Sequence, residues 1–585
     1  RLLHIVYWLG KLAIKEQINN NKRTVTFSPF LRERLGHHIH GEIWANTIKE
    51  TLHKNPNYAI AYEGIAEIYM ATNQLEKALE AYQLYANNAS KKDKKYFEIA
   101  KRIANVNYAI KMIKSPVNVE IKNLGKEINS KGGDYNPSIS ADGRKMVFTS
   151  RRSDTKGGGV DKAGDFKYFE DIYISDWDTT DNYWKRARSI EGKLNTEGHD
   201  ASLSISPDGK KIFIYRNDGK KVIGDIFVSK LRASSGTWGT PKPLDKPINS
   251  SYFESSASLS ADGNKLYFVS EKEGNKYGAQ GRGDIYVAEK ISKRVWGEPK
   301  NLGPIINTPG DEISVFIHPD GKTLFFSSNG HLTIGGLDVY MSKMQEDGSW
   351  SKPENLGYPI NTILDDAHFN LSLDGKSAYY SAIKQDGLGD RDIYQIDFTN
   401  YPILTKGVAV NLSILKGKIT NGKNNIVSNI EFKDAKGEVV GTTISDEEGN
   451  YFTTLIGGKK RVVSVKPKAL LEDKRTKEKL TLEEALANAL GYEYRITTDE
   501  DVRTEKVRNI IRCVRGAVLS IELQLIYAKW LNVFFKKIKN NLHDELNVTI
   551  DELAEKYKIS YVQSFTLMQH GFWVKDIISD ETLPL

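Results

Sequence analysis

The sequence predicts a multidomain chain: an all-α N-terminal region, a five-bladed β-propeller, a small β-sandwich and a helical C-terminal region. Three observations carry the prediction. Between residues 41 and 115 apolar residues recur at three- and four-residue intervals, the spacing of an amphipathic helix. From Val117 a frame of the form Asn-x4-[Asp/Glu]-x7-Asp-Gly then occurs five times without a gap. Beyond it, short runs alternate apolar and polar residues between Gly, Asn and Asp, as half-buried strands do.

Bulk properties bound the answer. A chain of 585 residues is too long for one core and points to roughly three to five domains. Its 39% hydrophobic and 27% charged residues exclude a disordered chain. A net charge of +8 over this length does not call for nucleic acid. Cys513 is the single cysteine, which rules out an intramolecular disulfide and thiolate metal clusters. Residues 1–40 form an N-terminal segment whose apolar run is too short to span a bilayer; any export signal or lipid anchor would lie ahead of Arg1.

Within residues 41–115, "NPNYAIAYEGIAEIYMATNQLEKALEAYQLYANNAS" reads as two helices with Asn73 at the turn, a residue that tolerates left-handed backbone angles. The segment resembles a tetratricopeptide repeat, with Tyr62, Ile65, Ala66, Tyr69, Ala78 and Tyr82 on that repeat's packing positions. The resemblance implies an α-helical docking module.

Residues 116–401 carry the five copies. Their asparagines are Asn129, Asn195, Asn249, Asn307 and Asn361; five residues on stand Asp134, Asp200, Glu254, Glu312 and Asp366; eight further on come the Asp-Gly turns. Each turn leads into a short apolar strand, then Asp-[Ile/Val]-[Tyr/Phe], and in four copies a Trp 12 or 13 residues later. Four strands per unit at a period of 54 to 66 residues are propeller blades. Copy five stops after three strands, while copy one is preceded by an orphan strand, "VNVEIKNLG". Closure by that strand on the last blade would remove the open edges of the sheet.

This phase places Asp134, Asp200, Glu254, Glu312 and Asp366 in a ring near one mouth of the central channel. The ring either binds a ligand or cation, or accepts hydrogen bonds from backbone N–H groups of neighbouring blades as pure architecture. Loops joining the second and third strands share that face, vary in length and are basic, so Arg151, Arg152, Lys156, Arg216, Lys272 and Arg282 are expected to face a partner. Arg282-Gly283-Asp284 has the form of an adhesion tripeptide, but Asp284 fills a strand-start position occupied by Asp in all five copies. It reads as structure.

The repeats resemble the TolB-type propeller family, and "GGLDVYMSKMQEDGSWSKPENLGYPIN" is similar to its envelope subfamily. Residues 408–468 resemble the carboxypeptidase regulatory-like domain through Gly417-Lys418-Ile419 and "SDEEGNYF" with Asp446, Gly449 and Phe452. Residues 470–585 read as helical; Glu522 and Lys529 interrupt the longest apolar stretch, so no transmembrane span is expected. "NVTIDELAEKYKISYVQSF" partly resembles a helix-turn-helix, but Tyr557 and Lys558 stand where a turn glycine belongs.

The module order resembles an OmpA-associated envelope family of Gram-negative bacteria, some members of which serve type IX secretion and gliding. That resemblance implies a periplasmic, outer-membrane-associated scaffold with protein partners. Its peptidoglycan-binding motif is not found here, so no peptidoglycan-binding residue is carried over. With no Gly-x-Ser-x-Gly and no His-Glu-x-x-His, the chain is expected not to be an enzyme and to hold no metal or cofactor. Two alternatives stay open: a ligand- or cation-binding sensor built on the carboxylate ring, and a DNA-binding regulator acting through the C-terminal helices.

Overall fold

The computed structural model describes residues 55–89, residues 95–404 apart from four short loop segments, most of 412–456, the strands 461–466 and 493–498, and a few isolated positions. The chain divides into two compact units, residues 1–419 with 427–456, and residues 420–426 with 457–585.

The first unit is built on a five-bladed β-propeller. Each blade starts with an innermost strand at Asp134–Ile139, Asp200–Ile205, Glu254–Leu259, Glu312–Ile317 or Ala367–Leu371, paired antiparallel with the strand after the Asp-Gly turn. Glycine is required at the turns: Gly143, Gly209, Gly263, Gly321 and Gly375 have φ between 68° and 73°, where a Cβ is strained. In the first turn Ser140 Oγ donates to Asp142 at 2.6 Å and accepts from Lys145 N–H at 3.1 Å, closing the hairpin.

The ring closes as its phase requires. Glu120–Asn123 pairs antiparallel with Asp392–Asp397, giving the last blade its fourth strand. Asn123 donates to Asp392 at 2.7 Å, as Asn301 does to Asp284 (2.8 Å) and Asn355 to Asp338 (2.7 Å) in blades three and four. The closing segment is thus chemically a fourth strand like the others.

All five innermost strands carry a β-bulge, and four of the five have a non-glycine residue with positive φ there: Asn136, Ser256, Ser314 and His368. The bulge bends each strand and frees hydroxyls to bridge blades. Ser138 accepts from Ile205 N–H (3.1 Å), Ser258 from Ile317 (3.0 Å), Ser256 from Val315 (2.9 Å) and Ser314 from His368 (2.7 Å). Apolar clusters fill the space between blades; where the ring closes, Phe148 and Tyr173 of blade one pack with Tyr379 and Ile393 of blade five, and Trp184 donates to the Tyr379 hydroxyl at 3.1 Å.

Ahead of the propeller lie helices α1 (Ala59–Ala71), α2 (Leu75–Asn88) and α3 (Lys95–Lys114). Asn73 turns α1 into α2 with φ 55°. Behind it, Leu412–Lys418 pairs with Asn450–Ile456 and Asn429–Lys433 with Val439–Ile444. This β module touches the Asp-Gly face: Thr443 donates to the Asp262 carbonyl at 3.3 Å and Thr454 to that of Pro319.

In the second unit one expectation is corrected. Arg461–Lys466, expected inside the sandwich, pairs in parallel with Glu493–Thr498, expected to be helical. "EYRITT" is rich in β-formers, and the intervening chain is long enough for a parallel crossover. The other C-terminal segments read as helical lie outside the described residues.

Candidate functional site

The ring carboxylates meet their partners at the mouth bearing the variable loops, and all five residues are fully buried. Each accepts from the residue just after the frame asparagine. Backbone N–H and hydroxyl of Ser130 both donate to Asp134 (2.6 and 2.7 Å), and those of Thr308 to Glu312 (2.8 and 2.7 Å). Thr196 with Asp200, Ser250 with Glu254, and Thr362 with Asp366 repeat the pattern. The donors therefore sit in the linker four residues upstream, not in the neighbouring blade's strands as the architectural reading expects. A Ser or Thr after every frame Asn was the sequence signal for this.

The asparagines do the blade-to-blade work. Asn307 accepts from Ile285 N–H at 2.8 Å and donates to its carbonyl at 3.0 Å, so its amide acts as one more rung on the previous blade's third strand. Asn129 makes the same pair with Ile393, Asn195 with Ile172, Asn249 with Ile226 and Asn361 with Val339. Asn129 thereby bridges the first and last blades.

Cations distinguish the blades. Arg152 reaches Asp134 at 2.8 Å and Arg216 reaches Asp200 at 2.7 Å. Lys272 lies in the field of Glu254 and Lys384 in that of Asp366, with burial pulling both lysines below their usual range. Blade four has Gly330 where blades three and five have these lysines, and burial lifts Glu312 to about 7. The nearest help comes from α3, where Lys101 feels the charge of Glu312 and donates to the Asn329 carbonyl at 3.1 Å.

Lys101 belongs to a stripe. Asn105 exchanges hydrogen bonds with Thr333 (3.0 and 3.4 Å), Tyr108 senses Asp338, and Met112 lies against Gly357. The spacing 101, 105, 108, 112 is one helix face. Ile334 of the blade-four loop is fully buried in the helical core. One of the five loops is thus already held by a helix.

A chain of titratable groups runs along the same mouth on blades one and two. Tyr135 donates to Glu170; Glu170 lies 3.1 Å from Nδ1 of His199, and Asp161 lies 3.3 Å from Nε2. Burial pushes the Glu170 carboxyl up, but the bonds from His199 and Tyr135 outweigh it and hold it below its usual value. Its contact with Glu170 in turn raises His199. Such a chain can relay a proton between the channel wall and the surface. No motif in the sequence announces it, since its members are up to 64 residues apart.

Several expected partner-facing cations turn inward. Arg152 and Arg216 neutralise ring carboxylates, Lys272 is buried over Tyr286 and Phe268, and Arg151 braces its own loop through Asp165 and the Tyr168 carbonyl. A guanidinium beside a buried carboxylate is held there by the cost of leaving that charge unpaired. Lys156 is exposed and donates to the Asn195 carbonyl at 2.9 Å; Arg282, 75% exposed, forms a forked pair with Asp311. Asp284 is buried, accepting from Gln280, Gly281 and Asn301. Loop tips instead show apolar side chains: Phe166, 72% exposed with φ 61°, and Leu388, 48% exposed, on adjacent blades joined by the Lys167–Asp390 pair.

The channel's other end is narrow, a cavity of about 20 Å³ between Ser138, Ser204, Ser258 and Phe316, room for a single water. Among the described residues no group of three or more His, Cys, Asp or Glu is arranged to hold a metal, and no helix is long and apolar enough to cross a membrane.

No family model matches the chain, and no curated protein matches it. Among solved structures it is similar to an α-L-arabinofuranosidase from Lactobacillus brevis (16% identity over 45% of this chain and 90% of that one, TM-score 0.29). It is also similar to the β-propeller domain of the trilobed protease from Pyrococcus furiosus (12%, 45% and 81%, 0.26) and an N-acetylgalactosamine deacetylase from F. plautii (10%, 56% and 90%, 0.28). At these values the likeness is one of fold, and no substrate or reaction is carried over. One expectation is nevertheless corrected: glycosidases, a deacetylase and peptidases stand among the structural neighbours, so the reading of this chain as not an enzyme is withdrawn.

Proposed function

We propose that the chain is a partner-docking platform of the bacterial cell envelope, periplasmic and associated with the outer membrane. In this reading α1–α3 are a tetratricopeptide-like layer and the propeller is the rigid body from which the loops project. The α3 stripe on the blade-four loop carries the reading. It supplies a cation, an amide and apolar contacts to one loop, and a partner helix would use the amide and apolar part of that chemistry on the others, whose carboxylates have cations of their own. Phe166 and Leu388 support it, because an exposed aromatic in a strained backbone conformation is worth holding only for a contact. The module order adds type IX secretion or gliding assemblies as the setting.

Fractionation with cross-linking tests this. The full chain should be recovered with envelope membranes, and cross-linker placed at Lys162, exposed on the same loop as Phe166, should capture one dominant protein, with capture falling roughly tenfold in Phe166→Ser/Leu388→Ser. Recovery only from the cytosol, or capture unchanged by the double substitution, would overturn it.

A further inference from the structure

Among the described arginines of the propeller only Arg151, Arg152, Arg216 and Arg391 are withdrawn from the surface, and three of them are fully engaged. The side chains of Arg151, Arg152 and Arg216 are 12%, 15% and 16% exposed, and each donates to a carboxylate and to a main-chain carbonyl. Arg391 is 19% exposed, yet its guanidinium makes no hydrogen bond to a described residue. Its one ion pair among them is with Asp365 at 3.8 Å, and Asp365 already accepts from Leu337 N–H at 2.9 Å. A guanidinium with five N–H donors is seldom taken out of water unless something receives them.

The fold sets Arg391 at the channel mouth. The residue ahead of each strand-start Asp gives its carbonyl to the N–H of the next ring carboxylate: Arg391 to Asp134 (2.8 Å), Glu170 to Asp200 (2.9 Å), Gly224 to Glu254 (3.2 Å), Gly283 to Glu312 (2.8 Å) and Leu337 to Asp366 (2.8 Å). These five positions encircle the channel, and blade five faces blades two and three across it, where both residues are glycine. No side chain of that circle reaches over to Arg391, and Glu170 on the adjacent blade is held by Tyr135 and His199. Near Arg391 instead stand Tyr135 and His368, whose rings are 6.1 Å apart and which both feel its charge. His368 Nδ1 lies 2.8 Å from Ser381 Oγ, while Nε2 is bonded to no described residue. The Ser381 hydroxyl donates to the Ala367 carbonyl at 3.3 Å, so the proton is assigned to Nδ1 and Nε2 is left an open acceptor.

We propose that this corner of the mouth, built from Arg391 and His368, is a subsite for the carboxylate of a small hydroxylated acid. The guanidinium presents the planar fork that matches a carboxylate, and the neutral imidazole accepts from a hydroxyl carried beside it. One cation balances one negative charge. A doubly charged phosphate would bring a second one toward Asp365 and Glu170. The inference is independent of the docking reading, which rests on the α3 stripe and the loop tips.

Titration calorimetry of the full chain with glucuronate is the test, with glucose and inorganic phosphate as the other probes. Glucuronate should bind, glucose and phosphate should bind roughly tenfold more weakly or not at all, and Arg391→Met should weaken glucuronate roughly tenfold or more. Arg188→Met, which removes an exposed guanidinium from the blade-one hairpin, should bind like the wild type. The melting temperature of the ligand-free protein gives a second reading. Arg391→Met keeps the main-chain bond to Asp134 and removes an unpartnered charge, so it should melt at or above the wild type, whereas Arg216→Met should melt lower. No heat from glucuronate at tens of millimolar, equal binding of glucose, tighter binding of phosphate, or unchanged affinity in Arg391→Met would overturn the proposal. So would a fall in melting temperature matching that of Arg216→Met, which would show that the guanidinium already has a partner inside the protein.

Discussion

Blades two and four share one frame and solve the same electrostatic problem differently. Asp200 finds its cation inside its own sheet, because Arg216 lies directly across the ladder from it. Glu312 finds Ser328 across the ladder, a hydroxyl at 2.7 Å, and borrows Lys101 from a helix more than 200 residues upstream. A repeat fixes what every blade needs, namely the Asn rung, the Ser/Thr donor and the turn. Departures from the repeat mark where another part of the molecule has been engaged.

Removing each cation separates the two cases most sharply. Arg216→Met leaves Asp200 buried without its partner and should lower unfolding free energy by about 3–5 kcal/mol in denaturant titration. Lys101→Met should cost about 1 kcal/mol or less, because the hydroxyls of Thr308 and Ser328 remain. Its clearer effect should be faster proteolysis of α1–α3 with the propeller fragment surviving. Equal losses in the two variants would mean that Lys101 serves Glu312 as fully as Arg216 serves Asp200, and that the hydroxyls do not share the load.

Glu312 also sets a pH window. Burial raises its folded value to about 7, so the stability it confers when protonated is full below its ordinary value of 4.5 and lost as pH rises through about 7. Wild type should therefore lose stability relative to Glu312→Gln between pH 5 and 8, on the order of 1–3 kcal/mol. Parallel pH profiles for the two proteins would show the carboxyl to be better solvated than its burial implies.

The smallest effect belongs to blade five. Ala382 stands opposite Asp366, where Ser270 and Ser328 donate to their carboxylates in blades three and four, and Asp366 Oδ1 is left without a donor, as is the buried Tyr380 hydroxyl. Ala382→Ser should raise unfolding free energy by about 0.5–1 kcal/mol. A loss would indicate that a bound water already serves both atoms.

Much of this was legible from spacing alone. The five frames, the closing strand and the structural role of Asp284 all follow from local repeats, because hairpins and blade linkers join residues near in sequence. The inward turn of Arg216 was also readable: it ends an apolar strand whose register faces Asp200. Lys101 was not readable, since a helix stripe reveals its partner only once the chain has folded back onto blade four. The Tyr135–Glu170–His199–Asp161 chain was hidden for the same reason, its members lying on three separate segments. The parallel pairing of Arg461–Lys466 escaped because local alternation says nothing of direction or partner.

Closure by the leading strand has a mechanical consequence. Glu120 lies beside Asp397, so the chain enters and leaves the ring at the same end of one ladder. Tension applied between the modules before and after the propeller would load those rungs one at a time, like a zipper pulled from its open end, instead of shearing them together. The ring would yield first at that seam, while the other four blades kept their form.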